Sequence, residues 1–182
     1  MRNLSSTSLA LCALAALPLT AADTLATANY NWKANALKHW QSSYAFTYTV
    51  VDAMPAEAFS YIPPSTAKPT ERNYGGLTAH IGVFNIGMAS LVTGMKGPEA
   101  LPKGTTDKAQ ILAYLHASED FVMKALKVAT DEQLSRTVKF ANIEETGYEA
   151  FEGAFAHMAH TRGQCEVYLR LQNILPPKYP FE

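Results

Sequence analysis

Apolar residues recur at three- and four-residue steps in four stretches of the chain, the mark of helices that bury one face. In the first, from about Tyr30 to Ala53, the residues Leu37, Trp40, Tyr44, Thr47, Val51 and Met54 make one stripe, which Pro55 ends. The second, from about Tyr74 to Met95, carries Leu77, Ile81, Phe84, Met88 and Leu91, with His80 on the flank of the stripe. Gly94 and Gly97 stop it, and Pro98 and Pro102 hold the following loop open. The third starts at a cap formed by Thr105 or Thr106 and continues to about Ala129, with Leu112, Leu115, Val122, Met123 and Leu126 facing inward. The fourth, from about Tyr148 to Gln172, has Phe151, Ala154, Phe155, Met158, Cys165, Tyr168 and Leu169 on one broad face, and Pro176 and Pro177 prevent its continuation.

The connections are equally readable. Pro55, Pro63, Pro64 and Pro69 make the segment between the first two helices an ordered surface loop. Thr130 and Gln133 have capping-box spacing, which predicts a short extra helix before Val138 to Phe140. Strand-like alternation is almost absent, and no internal repeat or long charge run interrupts the pattern. The economical architecture is all-α: an up-down four-helix bundle with a short helix between its third and fourth members.

The N-terminus alters the picture of where this domain works. Arg2, the apolar run from Leu9 to Leu19 and the small residues Thr20-Ala21-Ala22 read as a cleavable signal peptide over residues 1–22, leaving residues 23–182 as one domain. The run is too short to anchor in a bilayer, and Leu11 before Cys12 does not suit a lipid-attachment site. The expected location is therefore periplasmic or secreted, with no membrane attachment after cleavage. The mature chain keeps one cysteine, Cys165, so it forms no internal disulfide and must rely on its core. That core is well supplied, with 48% of residues apolar and 17% charged. A formal net charge of −1 offers no basic footprint for nucleic acid and leaves small molecules or protein surfaces as partners. A homodimer is compatible with a helical bundle, though no exposed stripe demands one.

Histidine placement is the informative chemical feature. His157 and His160 lie close together on the fourth helix, and His80 sits on the second. On a helical wheel His80 and His157 fall at the edges of their apolar stripes, where neighbouring helices can bring them to a common pocket. Imidazole is the commonest ligand for transition metals, and three such ligands with an open position make a catalytic arrangement. Glu119 falls in the third helix's stripe, where a carboxylate can orient a ligating imidazole, act as a base or reach solvent at the bundle end. His116 and His39 lie off their stripes. No phosphate-binding glycine loop, nucleophile elbow, C-x-x-C pair or H-E-x-x-H is present.

The segment His157-Met-Ala-His-Thr-Arg-Gly-Gln-Cys-Glu-Val-Tyr-Leu-Arg170 resembles the closing helix of the DinB-like family, in which a histidine cluster precedes Arg-Gly-Gln, then Tyr-Leu-Arg, then a proline-rich end. Trp40 and Tyr44 in the first helix, Asp52-Ala53-Met54-Pro55 after it and His80-Ile81 in the second extend the likeness over the mature chain. The resemblance implies a four-helix bundle holding one divalent transition metal, without distinguishing zinc, nickel, iron or manganese. Its ligands would be His80, His157 and a third histidine that the family often places four residues after His157. Thr161 occupies that place here, so the nearest third candidate is His160, which lies about 60° around the helix on the side away from the apolar stripe. From the residues themselves, Glu119, Thr161, Arg162 and Gln164 are candidates to support such a site, while helix capping or inter-helix hydrogen bonds account for Arg162 and Gln164 equally well. No catalytic residue is assigned. The family also implies a small-molecule substrate, with a thiol as one candidate, and transferase-like or hydrolase-like chemistry. The alternative is a non-catalytic bundle that binds a ligand or partner through a vestigial site.

Overall fold

Among the described residues α2 (Tyr74–Thr93) is the most buried helix, and its composition explains why. It is long and apolar enough to cross a membrane, yet more than half of its most apolar window is covered by the rest of the bundle. It packs against both α3 (Lys108–Val128) and α5 (Gly147–Leu171), and α1 (Trp32–Asp52) packs against the same two helices from the other side. The ring order is therefore α1, α3, α2, α5, with the sequence neighbours α1 and α2 across from one another. The computed structural model describes residues 31–64 and 72–180. The expected signal peptide at 1–22 lies outside them.

The inward stripes are those the periodicity marks. Trp40, Tyr44, Val51, Met54, Ile81, Met88, Leu115, Val122, Leu126, Phe151, Met158, Cys165 and Leu169 are all buried. A hydrogen-bonded string ties three helices through this core. Asn85 Nδ2 donates to Tyr44 Oη at 3.0 Å, and Tyr44 Oη bonds Ser118 Oγ at 2.8 Å. Burial accordingly pushes the Tyr44 phenol well above its ordinary range.

Helix ends follow capping chemistry, with one reassignment. Asn73 caps α2 by accepting from the Gly76 amide at 2.7 Å, and Gly94, at φ 72°, terminates it in the left-handed conformation that glycine tolerates. α3 starts later than the threonines suggest: Asp107 is its cap, accepting from the Gln110 amide at 2.9 Å. The Thr105 hydroxyl is already committed to the carbonyl of Pro102 at 2.7 Å, which leaves the carboxylate to do the capping. The expected short helix is present as α4 (Asp131–Ser135), with both halves of the Thr130–Gln133 capping box formed.

The hairpin that follows is not what the sequence pattern predicts. β1 (Thr137–Phe140) pairs antiparallel with β2 (Ile143–Thr146), Thr137 opposite Thr146 and Phe140 opposite Ile143. Four-residue strands are too short for alternation to register, and of β1 only Val138 is buried. Thr146 closes β2 and at once caps α5 in a second capping box with Glu149.

Candidate metal-binding site

The packing of α2 against α5 brings His80 and His157 together. Their ring centroids lie 4.9 Å apart at an interplanar angle of 80°. Phe84, one turn beyond His80, stacks on the face of His157 at 3.9 Å and 18°, and Phe140 of β1 meets Phe84 edge-on at 5.6 Å. The hairpin thus braces an aromatic wall that fixes the His157 ring. Phe84 reads as plain core in the sequence, and only its i+4 relation to His80 hints at this role.

The electrostatics of the pair are set by burial and by positive neighbours. His157 Nδ1 is buried and has no hydrogen-bond partner. Desolvation, then His80, His160 and Arg72, lower the His157 pKa from 6.5 to about 4. Desolvation and then Arg72 lower that of His80. Both rings are held neutral near pH 7, the protonation state in which an imidazole nitrogen ligates a metal. Arg72 is positioned from α5, where Tyr168 Oη donates to its carbonyl oxygen at 2.7 Å.

His80 opens on a cleft of about 560 Å³ between α2 and the segment before α3, lined also by Arg72, Val83, Leu101, Lys103 and Thr105. Gly75 allows that segment to close on α2, because a Cβ there would stand 2.6 Å from the carbonyl oxygen of Thr105. The cationic lining from Arg72 and Lys103 comes from segments without helical periodicity, so the stripe pattern gives no sign of it.

The remaining candidates are distributed differently. His160 is exposed, and its Nε2 lies 3.1 Å from Gln164 Nε2. Thr161 is buried on the inward side of α5. Arg162 turns to α1 and donates through Nη1 to the carbonyl of Ser43 at 3.2 Å, to Ser43 Oγ at 2.8 Å and to Thr47 Oγ1 at 3.2 Å. Glu119 accepts from Tyr48 Oη at 2.7 Å, and the Tyr48 ring lies over His116 at 4.1 Å. Cys165 is fully buried, which pushes its thiol pKa up and makes it a core residue rather than a nucleophile. Among the described residues no three His, Cys, Asp or Glu side chains converge to hold an ion. The donor set accordingly fits a site with two imidazole ligands and an orphaned nitrogen, and departs from one with three protein ligands.

The sequence model of the DinB superfamily matches residues 19–165. The chain belongs to the DinB superfamily. Two solved DinB-like proteins share its fold. One, from Bacillus cereus, is 21% identical with a TM-score of 0.65 over 80% of this chain and 96% of its own. The other, from Bacillus subtilis, is 18% identical with a TM-score of 0.61 over the same shares. Among curated proteins none matches the chain. Membership accounts for the four-helix architecture, and within it this DinB superfamily chain carries Thr161 four residues after His157.

Proposed function

We propose that this DinB superfamily member is an exported, metal-dependent enzyme acting on a small molecule, with His80 and His157 as ligands to one divalent transition metal. The observation that carries the reading is the buried, unpartnered Nδ1 of His157 beside the His80 ring. A buried nitrogen left without a partner costs roughly 1–3 kcal/mol, which a ligand to that ring would offset. A bound ion of this class (zinc, nickel, iron or manganese) would supply Lewis acidity, lowering the pKa of a thiol or of water.

The chain's own residues define what such a site would accept. Arg72 and Lys103 line the adjoining cleft and suit a substrate with an anionic group. Phe84 covers one face of the His157 ring, and Phe140 packs edge-on against Phe84. His160 becomes a third donor if its side chain leaves Gln164, and otherwise remains a solvent-side residue.

Metal content of protein purified without a histidine tag tests the reading. The expected result is one ion per chain, with affinity lowered at least ~100-fold in His80→Ala and His157→Ala. A metal-free preparation with no gain in thermal stability from excess zinc, nickel, manganese or iron would count against it. One observation favours the second reading, a non-catalytic ligand-binding bundle: the position four residues after His157 is the buried Thr161.

A further inference from the structure

The seam between α1 and α5 is the most open of the four in the bundle, and a second cleft of about 460 Å³ lies along it. It shares no lining residue with the cleft at His80. Arg162 lines this second cleft with only 7% of its surface exposed. Its three hydrogen-bond acceptors, on Ser43 and Thr47, are all neutral oxygens. Among the described residues the ion pairs are Lys108–Asp52 and Lys139–Glu144, so none of their carboxylates stands within 4 Å of this guanidinium. Glu166, one turn along α5, acts on it electrostatically without reaching that distance. A buried cation whose hydrogen bonds all go to neutral oxygens lacks its counter-charge.

The walls say what body the counter-charge would carry. The Arg162 guanidinium lies 4.8 Å from the centre of the Phe46 ring. Tyr179 meets Phe46 edge-on at 5.3 Å, and Phe155 lines the cleft as well. Lys38 and His39 stand exposed in the same lining. The lining holds no Asp or Glu, its Lys38 and Arg162 are cationic, and three aromatic rings stand beside them. The volume suits one small molecule.

We propose that this cleft binds a small organic monocarboxylate with a flat aromatic body, its carboxylate meeting the free edge of Arg162 and its ring lying among Phe46, Phe155 and Tyr179. A carboxylate fits better than a phosphate because Nη1 is already spent on Ser43 and Thr47. What remains is one planar edge, matched to a planar anion of single charge.

Titration calorimetry with phenylacetate and 2-naphthoate tests this, on protein kept in EDTA so that metal at the histidine pair does not contribute. Both should bind with Kd below about 1 mM. The neutral isostere phenylacetamide should bind at least ~10-fold more weakly, and inorganic phosphate more weakly than either carboxylate. Ala159→Trp fills the cleft from α5 and should abolish binding. Lys38→Ala, at an exposed position, should weaken it a few-fold while circular dichroism stays unchanged. No carboxylate binding at ~10 mM, equal binding of the amide, tighter binding of phosphate, or undiminished binding in Ala159→Trp would each overturn the proposal.

Discussion

His157 and Arg162 stand five positions apart on α5, and burial has opposite consequences for them. The histidine, packed against α2, gives up its proton: desolvation and the positive neighbours bring its pKa to about 4. The arginine, packed against α1, keeps its charge and gathers the oxygens of Ser43 and Thr47 around one nitrogen. One face of the helix therefore presents a neutral imidazole with an unpartnered ring nitrogen, the other a guanidinium without a counter-charge. Desolvation is the same penalty in both places, and the intrinsic basicity of the group decides whether a cation or an anion would satisfy it.

Arg162→Met breaks the comparison most strongly. It strands the Ser43 and Thr47 oxygens that the guanidinium satisfies, and urea denaturation should show a loss of about 2–4 kcal/mol. If the histidine pair holds a metal, its affinity should be unchanged, since Arg162 hydrogen-bonds to α1 instead.

Thr161→His sharpens the other side. It places an imidazole four residues from His157 at a buried position, and overpacking should cost roughly 1–3 kcal/mol. If the histidine pair holds a metal, zinc affinity should rise at least ~10-fold by competition with a chromogenic chelator. An unchanged affinity would favour the non-catalytic reading.

The acid response of the metal-free protein comes next in size. Between pH 6.5 and about 4 the unfolded chain binds a proton at position 157 that the folded chain refuses. Stability therefore falls as pH drops through that window and is unaffected by this group above it. Thermal melts across pH 4–8 should show the slope, and His157→Gln should flatten most of it, with His80 supplying the remainder. The smallest effect is expected of Gln164→Ala at an exposed position, within about 0.5 kcal/mol of wild type in stability. It releases His160, so a several-fold gain in metal affinity would identify that ring as a third ligand.

Much of the fold was legible because helix periodicity and caps are local. Stripes such as Leu77–Ile81–Met88 and Phe151–Met158–Cys165 define their buried faces without knowledge of the partner helix, and Thr130 with Gln133 announces α4. The hairpin escaped because its strands are four residues long, and the cap of α3 because Thr105 was drawn to Pro102. At the site, the wheel puts His80 and His157 at stripe edges, but nothing in the chain says that Phe84 stacks on one of them or that Arg72 is held nearby by Tyr168.

The sequence by itself determined four helices, their buried faces and most of their ends, because those follow from side-chain spacing within a few residues. Only the tertiary structure decided that α2 and α5 are neighbours while α1 and α2 face each other across the ring. Long connections leave that order open to the chain, and packing of whole faces selects it. The same choice delivered His157 to His80 and Arg162 to Ser43, so the chemistry of α5 belongs to the helices against which it is packed.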